Sequence, residues 1–229
     1  MIKLIVFDWD DVFTLGSKEG YFRCYHETLV ELGVHLKPEE EKKRILAKWG
    51  NIHREELREL LRKNPELLDR ACEIYRSKLF GNIYVDSLSI IPGTKKLVER
   101  LSKKYILCVA TGLNSEILKD KVIPKFDFPN VFKQIISSYD IEDVEKQKPD
   151  PYMVEQILKT QNIKPSEAVL VGDARGDVTM AREAGLLPIV VLSGNLSRIE
   201  AEKLKVEYII EDVTHLESVL TKLDNSKIL

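Results

Sequence analysis

The chain has little of what stabilises secreted or metal-stapled proteins. Three cysteines occur among 229 residues, Cys24, Cys72 and Cys108. They are odd in number, widely spaced and never in a CxxC pair, which excludes a disulfide framework and a thiolate zinc site and points to a reducing, cytoplasmic setting. Cys108 sits in the apolar run Tyr105-Ile106-Leu107-Cys108-Val109-Ala110 and reads as core. No apolar run approaches a membrane span, and the N-terminus enters a strand directly, without the pattern of a signal peptide. Charge of one sign is also lacking: 35 Lys and Arg balance 37 Asp and Glu. Nucleic acid and membrane surfaces are therefore not expected partners. The four histidines, His26, His35, His53 and His215, are scattered and read as ordinary surface or half-buried residues. Abundant Lys and Glu with few Cys and Met lean toward a thermophilic source.

What is present is a repeated rhythm. Residues 2–7 are an apolar strand. Four charged helical segments follow, Gly20–Leu32, Pro38–Trp49, Arg54–Leu61 and Pro65–Leu79, with apolar residues at three- and four-residue spacing and breaks at Gly33, Pro38, Gly50, Pro65 and Gly81. After Ile91-Pro92-Gly93, helices and strands alternate: helix Thr94–Lys103, strand Tyr105–Ala110, helix Ser115–Lys121, strand Gln134–Ser137, helix Pro151–Thr160, strand Ala168–Gly172, helix Asp177–Ala184, strand Leu187–Leu192, a short strand at Tyr208–Ile210 and a last helix from Thr214. Alternation of this kind predicts a parallel sheet covered on both faces. The expected fold is α/β, a doubly wound core from residues 1–14 and 89–229 with a helical insert over 15–88. Ligands of such sheets bind beyond the carboxyl ends of the strands.

Candidate chemistry gathers at those ends. Asp8 and Asp10 follow the first strand, one residue apart, and strand alternation predicts that they project to one side. Such a pair suits a nucleophile and a proton carrier acting on one small substrate. A second apolar strand, Val169-Leu170-Val171-Gly172, ends in Asp173, with Asp177 four residues on. Four acids in one crevice repel unless a cation is bound, and an all-oxygen set favours a hard ion, Mg²⁺ foremost. Thr111 and Gly112 end a third strand, where a hydroxyl and free N–H groups could hold an anion. Thr111 could instead cap the helix near Ser115. Lys148 adds a positive charge, although it lies in the charged run Glu142–Lys148 and could be a surface lysine. Asp173 and Asp177 could also serve as helix N-terminal acids. Together the groups describe phosphoryl transfer.

Four motifs in order carry a family resemblance: Asp8-Trp9-Asp10-Asp11-Val12, Thr111-Gly112, Lys148-Pro149-Asp150-Pro151 and Gly172-Asp173-Ala174-Arg175-Gly176-Asp177. The chain resembles the haloacid dehalogenase-like hydrolases, over nearly its whole length. The resemblance implies a Rossmann-like core with a helical cap domain inserted after the first motif, as in the phosphoglycolate phosphatase and beta-phosphoglucomutase branch. It also implies roles. Asp8 would attack phosphorus, and Asp10 would protonate the leaving group and then activate water. Thr111, Gly112 and Lys148 would bind the phosphoryl group, with Lys148 offsetting the charge of Asp8. Mg²⁺ would be held by Asp8, the carbonyl of Asp10, Asp173 and Asp177.

In the insert, Arg23, Trp49, His53 and Arg54 stand where caps of this branch contact substrate, though solvated or packing roles are equally open to them. Asp11 replaces a usual glycine, Val12 a commoner threonine, and Tyr21 falls near the cap histidine of the mutases, which favours hydrolysis over mutase activity. The expected activity is a Mg²⁺-dependent phosphatase, monomeric or homodimeric, acting on a small phosphorylated metabolite such as phosphoglycolate or a sugar phosphate. A dehalogenase is disfavoured by Asp10, Asp173 and Asp177. A non-catalytic binding protein on this fold is the alternative of another class, with Asp11 in its support.

Overall fold

A computed structural model describes residues 1–49 and 53–225, so Gly50, read above as a break in the insert, lies outside the described residues. The chain divides into two compact units, Met1–Leu15 with Ser89–Leu229, and Gly16–Leu88.

The first unit begins with β1 (Leu4–Phe7) and the two-residue β2 (Thr14–Leu15). The chain then passes through the helical unit: α1 (Ser17–Glu31), α2 (Pro38–Leu46), α3 (His53–Leu60), α4 (Leu68–Leu79) and α5 (Ile83–Ser87). It re-enters the first unit at β3 (Ser89–Ile90), antiparallel to β2. There follow α6 (Thr94–Leu101), β4 (Ile106–Thr111), α7 (Ser115–Ile117), α8 (Ile123–Lys125), β5 (Phe132–Ser137), α9 (Tyr152–Gln161) and β6 (Ala168–Gly172). The chain closes with α10 (Arg175–Glu183), β7 (Leu187–Val191), α11 (Arg198–Lys203), β8 (Tyr208–Ile210) and α12 (Leu216–Asn225).

Six strands form a parallel sheet in the order β5-β4-β1-β6-β7-β8. The fold is therefore the doubly wound, Rossmann-like α/β sheet that the alternation predicts. Strand β1 is central, and Leu4, Ile5, Val6 and Phe7 are all fully buried. A strand covered on both faces must be apolar at every position, hence the unbroken run. Leu4 and Val6 pack with Cys108, Ala110, Met153, Ile157, Leu170 and Met180 on one side. Phe7, of the opposite alternation, meets Phe13 at 4.9 Å and Phe132 at 6.4 Å between ring centroids. Burying each such side chain stabilises the core by roughly 1.5–3 kcal/mol. After β1 the chain builds β4 and β5 on one side, then crosses to β6 on the other. The crevice beyond β1 is thus flanked by the ends of both neighbours.

Several boundaries differ from the sequence reading, for local reasons. Helix α1 starts at Ser17 rather than Gly20, behind Gly16 in the left-handed region (φ 92°). Helix α10 starts at Arg175, ahead of Asp177, so Asp177 lies inside its first turn. The segment after Ser115 is not one helix: a π-helical turn over Leu118–Val122 separates α7 from α8. Strands β2 and β3 and helix α5 were not expected, because elements of two to five residues leave no period to detect. Among the described residues, no helix is long and apolar enough to cross a membrane.

Candidate active site

The carboxyl end of β1 continues its ladder for one step, with the Asp8 N–H donating to the Val171 carbonyl at 2.9 Å. The strand ends there, so alternation no longer governs Asp10. The chain instead turns tightly, with the N–H groups of Val12 and Phe13 both donating to the Trp9 carbonyl (3.2 and 3.0 Å), and Asp10 bridging to Thr14. Trp9 anchors this turn: it is fully buried, 5.1 Å from Phe13 and 4.9 Å from Phe128 between ring centroids. Asp11 adopts φ 57°. That is the left-handed region a glycine would occupy without strain, and aspartate is among the few other residues that tolerate it. The usual glycine has thus been replaced without abandoning the turn.

Beside β1, the end of β6 supplies Asp173, and the first turn of α10 supplies Asp177. One oxygen from each of Asp8, Asp173 and Asp177 lies within 4.8 Å of the others, and all three residues are buried. Lys148 reaches the cluster from the loop before α9. Its Nζ is 2.8 Å from Asp8 Oδ2 and 2.6 Å from Asp177 Oδ1, and its side chain is only 15% exposed. The Lys148-Pro149 bond is cis. The loop is held by the Lys148 N–H donating to Ser138 Oγ (3.3 Å) and the Tyr152 N–H donating to Asp150 Oδ1 (2.9 Å). Lys148 is therefore an internal lysine, not a surface one. The carboxylate of Asp10 is not among the clustered three.

Three carboxylates face one ammonium, and the imbalance shows in the proton affinities of Asp173 and Asp177. Burial, reinforced by the charge of Asp8 and only partly offset by Lys148, pushes Asp173 up to about 6. Burial against the opposing pull of Lys148, with Asp8 and Asp173 adding repulsion, pushes Asp177 up to about 7. Desolvation would lower the Lys148 ammonium, but Asp177 and Asp8 outweigh it and hold the lysine charged well above its ordinary range. A buried all-oxygen cluster with surplus negative charge is the environment a hard divalent cation satisfies. Asp177 also accepts the Ala174 N–H at 3.0 Å. Its place at the helix N-terminus is thus combined with its place in the cluster.

Space for these acids is made by two glycines. A Cβ on Gly172 would stand 2.2 Å from Asp177 Cγ, and one on Gly194 would stand 2.1 Å from Asp173 Oδ2. Gly194 belongs to the loop after β7, which the sequence reading did not reach. Asn195 in that loop donates from both N and Nδ2 to Asp173 Oδ2 at 2.7 Å, and Ser193 Oγ donates to the Asp11 carbonyl at 2.5 Å. These residues carry no motif spacing. Their only signal was a Ser-Gly-Asn turn after a strand.

Thr111 ends β4 fully buried, and its Oγ1 accepts the Leu113 N–H at 3.1 Å. Gly112 is exposed, with nothing near the place a Cβ would take. Capping of α7 falls to Asn114, whose Oδ1 accepts the N–H groups of Glu116 and Ile117, so Thr111 does not cap it.

The four candidates of the helical unit are engaged within that unit. Arg23 Nη1 donates to Ser87 Oγ at 3.2 Å, and Arg54 pairs with Asp69 at 2.6 Å. Trp49 packs edge-on against Phe22 (5.4 Å), with the Lys18 ammonium 5.6 Å from its ring centre. His53 stacks on Tyr75 at 5.2 Å, and burial, then the charges of Arg76 and Arg54, lower its pKa.

Comparison with known proteins agrees with this architecture. A glyceraldehyde 3-phosphate phosphatase of Pyrococcus furiosus is 26% identical over 238 residues, covering 98% of this chain and 95% of that protein. A pyrophosphatase of Anoxybacillus flavithermus is 26% identical over 162 residues, 69% of this chain and 71% of that one. The solved structure of a haloacid dehalogenase-like family hydrolase from Streptococcus pneumoniae superposes with a TM-score of 0.76 at 22% identity, over 96% of this chain and 98% of that one, and shows the same fold. The family model described as haloacid dehalogenase-like hydrolase matches residues 2–185. The chain belongs to the haloacid dehalogenase-like hydrolase family.

Proposed function

We propose that the protein is a phosphatase that hydrolyses a small phosphorylated metabolite through a phosphoryl-aspartate on Asp8. The observation that carries the reading is the placement of Lys148 Nζ against both Asp8 and Asp177, with Asp173 completing the cluster. An ammonium there offsets the charge of Asp8 and can follow the transferring charge, which is the positioning and electrostatic work that phosphoryl transfer demands.

In the first half-reaction an Asp8 carboxylate oxygen forms a bond to phosphorus as the ester P–O bond breaks. Asp10, as the carboxylic acid, gives its proton to the departing oxygen. In the second, the Asp10 carboxylate takes a proton from water, the water oxygen bonds to phosphorus, and the Asp8–phosphorus bond breaks to release inorganic phosphate. Thr111 and the open Gly112 backbone bind the phosphoryl oxygens with Lys148. Asp8, Asp173, Asp177 and the Asp10 carbonyl are the proposed holders of Mg²⁺. When bound, the ion neutralises charge on the phosphoryl oxygens. The unit Gly16–Leu88 is the proposed cap, excluding bulk water on closure. Arg23, Trp49, His53 and Arg54 are its candidate substrate contacts.

Relatives named for glyceraldehyde 3-phosphate and pyrophosphate support a small phosphorylated substrate. The test is phosphate release from a panel containing glyceraldehyde 3-phosphate, phosphoglycolate, a sugar phosphate, a nucleoside monophosphate and pyrophosphate, with Mg²⁺ and with excess chelator. Mg²⁺-dependent release, strongest on one member, is the expected result. No release from any member by folded protein would overturn the reading in favour of a binding role.

A further inference from the structure

Three consecutive residues after β7 each touch the site differently. Ser193 Oγ donates to the carbonyl of Asp11, in the turn that carries Asp10. Gly194 leaves room for the Asp173 carboxylate, which a Cβ would strike at 2.1 Å. Asn195 brings a backbone and a side-chain N–H, each at 2.7 Å, onto the single oxygen Asp173 Oδ2. The next residue closes the contact, with the Leu196 N–H donating to the Asp173 carbonyl at 2.9 Å. Asp173 is 1% exposed, so these donors, not bulk water, decide how its carboxylate is turned.

We propose that Asn195 is a positioning residue: it fixes the rotation of the Asp173 carboxylate and so prepares the acid cluster for a divalent cation. The inference rests on the cation-binding reading given above. Two N–H donors on one oxygen locate that oxygen more narrowly than one would, and so restrict rotation of the carboxylate about the Cβ–Cγ bond. Both bonds are also stronger toward an ionised carboxylate than toward a protonated one. Groups that orient metal ligands in this way commonly contribute about 10–100-fold in metal affinity.

Removing the side chain tests the role, because the backbone N–H remains and the turn keeps its path. Mn²⁺ serves as the probe, its binding to the full chain followed by loss of the free-ion electron paramagnetic resonance signal. Asn195→Ala should bind Mn²⁺ about tenfold more weakly than the wild type. Asn195→His, whose Nδ1–H can stand where the amide N–H does, should recover most of the loss. The melting temperature of the metal-free protein should change little in either variant. Equal Mn²⁺ affinity in Asn195→Ala and the wild type would overturn the inference, since water would then replace the amide at no cost. So would a loss of affinity accompanied by a parallel loss of metal-free stability, which marks a merely structural turn. A wild type that holds no Mn²⁺ would remove the cation reading and this inference with it, whereas an effect confined to Asn195 leaves the first standing.

Discussion

In the helical unit, the described buried charged and polar side chains find partners within the unit, with the Nε of Arg44 the exception. The Tyr25 hydroxyl donates to Glu56, Arg44 donates to the Leu60 carbonyl at 2.8 Å and pairs with Glu40, and Glu41 meets His26 at 3.1 Å. In the sheet unit, three buried carboxylates compete for one lysine. The first arrangement satisfies charge and polarity within the fold, and stability is reason enough for it. The second leaves a deficit of positive charge at the ends of the central strands. Such a deficit is what the proposed cation and phosphoryl group would complete. The difference between the two units therefore separates polar groups that hold the protein together from those proposed to act.

The largest effect should come from breaking the crowded cluster at its centre. Asp8→Asn is expected to lower phosphate release by on the order of 10⁴-fold or more while circular dichroism shows an unchanged fold. Activity within tenfold of wild type, an order-of-magnitude bound, would remove Asp8 as the nucleophile. Lys148→Ala should cost about 10²–10³-fold in turnover, because the ammonium that reaches both Asp8 and Asp177 is lost. Steady-state rates at saturating Mg²⁺ would show it, and a purely surface role for the lysine predicts no change.

Proton competition provides a smaller, signed test. In the metal-free protein, Asp173 and Asp177 titrate near 6 and 7, above the ordinary value of 3.8. Between those values the folded protein carries more protons than the unfolded chain. The associated stability is full below 3.8 and is lost as pH rises through 6 and 7. The metal-free protein should therefore melt at a lower temperature near about pH 8 than near about pH 5, and Asp177→Asn should reduce the difference. Divalent-cation affinity should move the other way, rising over this range as protons are displaced. Thermal melts in chelator and Mn²⁺ titrations at matched pH would read both trends, and a melting temperature that climbs with pH would contradict the raised acids.

The smallest effects belong to groups that are already satisfied or merely accommodated. Gly194→Ala should cost about 1–3 kcal/mol through overlap with Asp173 and weaken cation binding with it. In the helical unit, Tyr25→Phe should cost about 1–3 kcal/mol by leaving the buried Glu56 short of a donor, measured by urea unfolding. If Tyr25→Phe instead altered the Mn²⁺ affinity while Gly194→Ala did not, the contrast between the units would be drawn in the wrong place.

How much of this was legible in the sequence follows from what each residue depends on. The parallel sheet was readable because β1 and β6 are apolar at every position and β4 at every position before its terminal Thr111, a pattern that burial on both faces imposes. That Asp8, Asp173 and Lys148 would come together was readable only from their joint occurrence beyond the strands, since each alone had an ordinary reason to be there. The turn at Asp11 was legible only as a departure, and its φ of 57° shows the backbone demand that a glycine would have met. Strand alternation gave the wrong reason for the placement of Asp10, since β1 stops at Phe7 and a turn intervenes. Ser193, Gly194 and Asn195 were out of reach, because a loop brings them to Asp173 across 22 residues without periodicity or charge to mark the approach. Likewise, nothing in the sequence showed that Asn114, not Thr111, would cap α7.

A covalent phosphoryl-aspartate at Asp8 is the central intermediate of the proposed mechanism. The most direct measurement is rapid acid quenching of Asp10→Asn during turnover of an aryl phosphate, whose leaving group departs without a proton from Asp10, followed by mass spectrometry of the peptide carrying position 8. With the activation of water impaired, one phosphoryl group should accumulate on Asp8. Continued phosphate release at the wild-type rate with that peptide unmodified would contradict the mechanism, and would mean that water attacks the substrate directly.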